Sequence, residues 1–247
     1  MKQSETIYGM HAVRVMLERH AQRVLNVRLA AQRDDPRARE IEQLAREAER
    51  PVQRIDMHAL RQQLGAVAHQ GVAAEITPLP PWSEDELLEA LQSARAPLLL
   101  ALDGVQDPHN LGACLRSADA CGALAVIVPR DRAAQLTATV RKVAAGAAET
   151  TPVVAVTNLV RTLKLLKDAG LWIVGADAAA AVPAREVDLK GPVVLVLGAE
   201  GTGLRHSTRQ NCDFLVSLPQ RGAVESLNVS VAAAMLLYEA LRQRDLS

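Results

Sequence analysis

The rhythm of apolar and polar positions changes near residue 77. Before it, apolar residues are spread among charged ones. Ile7, Met10, Val13, Val15 and Leu17 fall near helical spacing, and VLNVRLA at Val24–Ala30 reads as a strand. Arg37 to Arg50 predicts a polar helix with Ile41, Leu44 and Ala48 on one stripe, stopped by Pro51. Val52–Ile55 suits a second strand, Asp56 an N-cap for a helix Met57–Leu64, and Gly71–Ile76 a closing strand. Residues 1–77 are therefore expected to form a small α/β domain.

Residues 78–97 read as a linker. Pro78, Pro80 and Pro81 open it, Pro97 ends it, and Ser83 with Glu86 forms a capping-box pattern ahead of one acidic amphipathic helix. From residue 98 to 247 short, bare apolar runs recur: Leu98–Leu102, Leu124–Val128, Val153–Val156, Leu171–Val174, Val193–Leu197 and Phe214–Leu218. Such runs fit strands of a parallel sheet covered on both faces. A helix is expected over Leu111–Gly122, and the last helix, Val229 to Arg242, sets Val229, Ala233, Leu236, Leu237 and Ala240 on one stripe.

Composition narrows the function. Lys and Arg number 28 and Asp and Glu 28, so no net charge argues for nucleic acid. No apolar run reaches the roughly 20 residues of a membrane helix, and MKQSETIYGM lacks the apolar core of a secretory signal. Cys114, Cys121 and Cys212 form no CxxC pair, and the histidines show no zinc-ligand spacing, so a reducing cytoplasm and no metal are expected.

Three loops, each at the C-terminal end of a predicted strand, stand where open parallel sheets bind ligands. The first runs from Asp103 and delivers Asn110, Gly112 and Arg116. Asn110 suits a helix cap or a site. Arg116, on a helix otherwise bearing Leu111, Cys114, Leu115 and Ala118, either pairs with Asp119 or points into a site. The second loop places Gly198, Glu200, Gly201 and Gly203 between strand and helix. Its GxxGxG spacing is neither a dinucleotide fingerprint nor a P-loop. In the third loop Ser226, Leu227 and Asn228 open an Ala-rich helix, where a plain N-cap and a functional role both fit.

Taken in order and spacing, N-x-G-x-x-x-R from Asn110, GAEGxGL from Gly198, and LP followed by SLNVSVA from Ser226 resemble the three motifs of the SpoU/TrmH branch of the SPOUT methyltransferases. The likeness covers essentially the whole chain. IYGMHAV and AVAHQGVAA look like the L30e-like RNA-binding domain of that branch. Leu102 to Glu149 is most similar to members that methylate the ribose of a guanosine in 23S ribosomal RNA.

The resemblance implies an α/β fold whose C-terminal parallel-sheet domain carries a trefoil knot. It implies S-adenosylmethionine held by Gly198, Gly203, Leu218 and Leu227, and a 2′-hydroxyl surrounded by Asn110, Arg116, Glu200, Ser226 and Asn228. It further implies a homodimer that completes the site, and as partner 23S ribosomal RNA or a large-subunit assembly intermediate. An arginine is a poor free base. The resemblance offers Arg116 as the base; orientation of a phosphate and stabilisation of the developing alkoxide fit it equally well, with Glu200 and Ser226 then left to position groups or relay the proton. Arg116, Arg130, Arg132, Arg141 and Arg221 are the expected RNA contacts of the catalytic domain. One departure stands out: the third motif usually has Met after its Pro and then a small residue, whereas this chain has Gln220 and Arg221, with Glu225 further on.

Overall fold

The computed structural model describes residues 4–65, 67, 69–223 and 226–245. Glu225, and Ala66 and Ala68 of the AVAHQGVAA stretch, lie outside the described residues. The chain divides into two compact units, Met1–Pro80 and Pro81–Ser247.

The first unit holds β1 (Glu5–Tyr8), α1 (Met10–His20), β2 (Val24–Ala30), α2 (Pro36–Glu47), β3 (Val52–Ile55), α3 (Met57–Leu64) and β4 (Val72–Ile76). Its sheet has the order β1-β4-β2-β3, with β4 antiparallel to both neighbours and β2 parallel to β3. The helix expected from Ile7 starts instead at Met10. Glu5–Tyr8 pairs with β4, and Gly9 turns the chain at φ 99. Four residues are too few for strand alternation to be told from the edge of a helical stripe. Helix α2 buries Ala38, Ile41 and Ala45, with Leu44 partly buried. Ala48, expected on that stripe, is the C-cap. Asp56 caps α3 by accepting the His58 N–H at 2.8 Å.

The second unit begins with α4 (Glu84–Ser93), where Ser83 and Glu86 form a capping box. The helix of the segment read as a linker packs on this unit. Leu87 is fully buried in the core, and the Thr162 hydroxyl donates to Glu84 at 2.7 Å. The chain continues through β5 (Leu98–Asp103), α5 (Pro108–Ala120), β6 (Ala125–Pro129), α6 (Ala138–Ala144), β7 (Val153–Val156), α7 (Leu159–Asp168) and β8 (Trp172–Ala176). It ends with β9 (Val182–Pro183), β10 (Val193–Gly198), α8 (His206–Gln210), β11 (Phe214–Ser217) and α9 (Val229–Asp245).

All pairings of the seven-stranded sheet, β7-β6-β5-β10-β8-β11-β9, are parallel. Along β5, Leu98, Leu100 and Leu102 enter one core while Leu99 and Ala101 enter the other. Strand β10 alternates in the same way: Val193, Leu195 and Leu197 face one side, Val194 and Val196 the other. Both sides are dry, so the strand sequence is apolar throughout. Helices α5, α6 and α9 supply residues to the first core, and α4 and α7 to the second. Among the described residues no helix is long and apolar enough to cross a membrane.

Candidate active site

The neighbouring central strands β5 and β10 end in register, Gly198 opposite Asp103. Asp103 is almost fully buried. Its carboxylate accepts the Arg205 N–H at 2.9 Å and stands 3.2 Å from the Arg205 guanidinium. The Arg205 side chain lies over Gly104, whose φ is +81 and where a Cβ would meet Nη2 at 2.9 Å. This contact ties the loop after β5 to the glycine-bearing loop after β10. Neither Asp103 nor Arg205 stood out in the sequence, because their link spans two distant segments.

Gly198 makes room for the protein's own backbone. A Cβ there would sit 1.9 Å from the Gly203 carbonyl carbon and 2.2 Å from the Leu204 nitrogen. The loop folds back on its own strand, closed by the Gly203 N–H donating to Ala199 at 2.9 Å, with Gly201 and Gly203 at φ 78 and 65. The bare glycine thus admits the protein's own backbone, and the loop becomes one wall of a cleft.

That cleft, about 540 Å³, is lined by Leu197, Gly198, Glu200, Gly203, Leu218, Gln220, Ser226 and Leu227, and by the charged pair Asp177 and Arg209. The pair's closest approach is 2.8 Å. All four residues expected to hold a cofactor line this one cleft, as do Glu200 and Ser226.

At the start of α9, Asn228 acts both as cap and as connector. Its Oδ1 accepts the Ser230 N–H at 2.9 Å. A backbone N–H only donates, so the cap fixes which end of the amide faces away. The amide nitrogen then donates to Asn110 Oδ1 at 3.0 Å and to Glu200 Oε2 at 3.4 Å. The carbonyl of Asn110 is thereby used, and its NH₂ is left with no partner among the described residues. Asn110 is not the cap of α5: Asp107 accepts the His109 N–H at 2.9 Å, and Pro108 follows at the first helical position. Three residues from three loops thus meet at one end of the cleft.

Arg116 stands apart. It lies further along α5, exposed, and makes no ion pair or hydrogen bond among the described residues. Its expected partner, Asp119, accepts instead from the Thr150 and Thr151 hydroxyls. Ser226 is exposed and without a hydrogen bond among the described residues. Of the other expected RNA contacts, Arg130, Arg132 and Arg221 are exposed. Arg141 is not: it is held against the buried carboxylate of Glu149, so it braces α6 rather than facing solvent. Gly112 explains why α6 sits so close to α5, since a Cβ there would meet Val143 at 2.6 Å. Burial pushes the Cys114 thiol up to about 12, which leaves it a core residue.

Comparison with known proteins finds relatives over nearly the whole chain. The SpoU rRNA Methylase family matches residues 97–238, and the RNA 2′-O ribose methyltransferase substrate binding family matches residues 6–82. The chain is 55% identical over 245 residues to the 23S rRNA (guanosine-2′-O-)-methyltransferase RlmB of Pseudomonas aeruginosa, covering 99% of this chain and 98% of that one. Identity to the protein of the same name from Xanthomonas campestris is 50%, with 98% of each chain covered. Among solved structures, the SpoU methyltransferase AviRb of Streptomyces viridochromogenes in complex with AdoMet superposes with a TM-score of 0.76 at 25% identity, covering 99% of this chain and 92% of that one.

Proposed function

The chain belongs to the SpoU rRNA methylase family, and we propose that it transfers a methyl group from S-adenosylmethionine to the ribose 2′-hydroxyl of a guanosine in 23S ribosomal RNA. The observation that carries this reading is the meeting of Asn110, Glu200 and Asn228 beside a cleft lined by the same loops that carry Glu200 and Asn228 and by the loop after β8.

The residues present fit the methyl donor. The cleft offers apolar walls at Leu197, Leu218 and Leu227 for a base, and charges at Asp177 and Arg209 for a zwitterionic tail. Gln220 adds a buried amide oxygen without a hydrogen-bond partner among the described residues. When bound, the methyl donor would supply an electrophilic methyl group whose sulfonium leaves as a thioether, and the 2′-hydroxyl proton would pass to the Glu200 carboxylate, directly or through Ser226.

The chain's own residues prepare the oxygen. Glu200 is the anionic acceptor of the cluster, and the Asn228 NH₂ holds it in place. The free NH₂ of Asn110 is aligned as a donor to the ribose, because Asn228 occupies its carbonyl. Ser226, at the cleft wall, is a further hydroxyl for positioning or proton relay. The unpaired guanidinium of Arg116 binds the adjacent phosphate and stabilises the alkoxide.

Arg116 touches none of these groups within one chain, so we assign it to the site of a second copy in a homodimer. Val231, Met235 and Tyr238 support such an assembly: they form an exposed apolar stripe on α9, opposite the buried Ala233, Leu236, Leu237 and Ala240. We also assign a trefoil knot to the C-terminal unit. What supports it is that the chain leaves β11 beyond β8, yet α9 packs back on α5 and β10, and the loop from Gly198 to Leu204 lines one cleft with Leu218, Gln220 and Leu227 of the returning segment. The first unit, assigned an L30e-like fold, takes the RNA. It offers a groove of about 330 Å³ flanked by His11, Arg14 and Arg37. We assign domain limits of 1–77 and 98–247 to these two roles, and the cytoplasm as the place of action.

Methylation of unmodified 23S RNA and of large-subunit precursor particles by the purified protein, followed by mass mapping of ribose methyls, tests this. A single ribose-methylated guanosine is expected. Methylation of a base, or of transfer RNA alone, would overturn the assignment.

A further inference from the structure

We propose that Gln220 reads the purine edge of the methyl donor, its side-chain oxygen accepting the 6-amino group of the adenine. The inference rests on the function proposed above and deepens it at a position where this chain departs from the motif it resembles.

Three side-chain atoms among the described residues are buried without a hydrogen bond: Asp103 Oδ1, Arg141 Nε and Gln220 Oε1. The first is 3.2 Å from the Arg205 guanidinium, and Arg141 is held by Glu149 through another nitrogen. Gln220 has neither kind of compensation. An amide oxygen removed from water and left unpaired is a loss that folding alone does not recover. A ligand in the cleft that Gln220 lines can recover it.

The kind of donor follows from the surroundings. Gln220 comes just after β11 and Pro219, and Leu197, Val216, Leu218 and Leu227 line the same cleft. Apolar walls suit a flat aromatic base. The cationic amino group of the methionine tail would favour a carboxylate, and Asp177 is there for it. A neutral amide oxygen is better matched by the neutral amine of adenine. The other half of the amide, also unpaired among the described residues, can donate to the neighbouring ring nitrogen, the two-point pairing by which glutamine selects adenine. A methionine at this position offers no such pair of polar atoms.

The test is calorimetry on the full chain with S-adenosylhomocysteine and with its 6-deamino counterpart, for the wild type, Gln220→Met and Gln220→Ala. Wild-type affinity should fall about five- to tenfold on loss of the amino group, the worth of one hydrogen bond made in a dry site. Gln220→Met should bind S-adenosylhomocysteine about fivefold more weakly and discriminate between the two ligands by less than about twofold. Its ligand-free melting temperature should not fall, because an unpaired buried oxygen has been removed. Gln220→Ala should lose the same discrimination. Full discrimination retained by either variant, or none shown by the wild type, would overturn the proposal while leaving the cofactor assignment in place. Failure of the wild type to bind S-adenosylhomocysteine at all would overturn both.

Discussion

All six residues of β5 are buried, whereas β3 in the first unit has no fully buried residue at all. The contrast extends to charge. In the first unit Arg14–Glu18, Arg33–Asp35, Arg39–Asp34 and Arg54–Glu42 are ion pairs with both side chains in contact with solvent. Such pairs contribute about 0–1 kcal/mol each and are screened by salt. In the second unit the carboxylates of Asp103 and Glu149 are buried; the Arg141 side chain is largely buried with Glu149, whereas Arg205 reaches Asp103 from the solvent side. Losing one partner of a buried pair is far more damaging than losing one at the surface. The first unit is therefore a scaffold of many small, replaceable contributions with a sculptable surface. The second concentrates its specificity in a few contacts that hold the site loops.

The strongest way to break this comparison is a pair of glycine substitutions. Gly198→Ala places a methyl 1.9 Å from backbone and should abolish cofactor binding, with a stability loss of at least about 3 kcal/mol. Gly65→Ala, at φ +74 and ψ −163 with nothing within 4 Å of the new methyl, should cost about 1–3 kcal/mol from backbone strain alone and leave cofactor affinity unchanged. Thermal melts and calorimetry on both variants check this; equal effects would erase the distinction.

Next in size is Arg116→Ala. Methyl transfer should fall by about a hundredfold or more, with S-adenosylmethionine affinity within about twofold, since the residue lies outside the cleft lining. A parallel loss of affinity would show that Arg116 is structural.

Helix caps sharpen the contrast further. Asp56→Ala and Asn228→Ala each remove a cap and should each cost about 1 kcal/mol. Only the second should also lower turnover, because Asn228 holds Asn110 and Glu200 together. Asn228→Ser keeps a capping oxygen without the NH₂ and adds no charge beside Glu200, so turnover should fall with stability largely retained.

The smallest effect is acid sensitivity. Hydrogen bonds from Arg39, Arg33, Arg54 and Gln32 hold the carboxyls of Asp34, Asp35, Glu42 and Asp56 below their ordinary values. Burial, helped by Arg61, holds His69 down as well. Each group then favours the fold fully above its unfolded pKa, and the contribution is lost as pH falls through the folded value. His69 should begin to act below about pH 6.5 and the carboxylates below about pH 4. In the second unit Glu86 and Glu239 are the carboxylates held down among the described residues. Hydrogen exchange on acidification should therefore release β2 and β4 before β5 and β10; the opposite order would contradict the comparison.

Much of the fold was legible in the residues. The bare apolar runs at Leu98 and Val193 are strands buried on both faces. The capping box at Ser83, the cap at Asp56 and the stripe of α9 lie where spacing put them, because each depends on neighbours within a turn or two. The edge strand β1 was misread as helix, since its pairing with β4 involves residues nearly seventy positions away. Asp107 was overlooked as a cap because Asn110, three residues later, is equally suited by type.

By itself the sequence determined most of the strands and the longer helices, though not β1, β9 or α6 to α8, together with a parallel second sheet and the three loops that carry polar residues. Only the tertiary structure decided that Asn228, 118 residues after Asn110, donates to it, that Arg141 is spent on Glu149 and that Gly198 yields to its own loop. Periodicity and caps are set by local backbone geometry. Which side chains meet, and which stay unpaired, depends on how distant segments pack together, and no local rule encodes that.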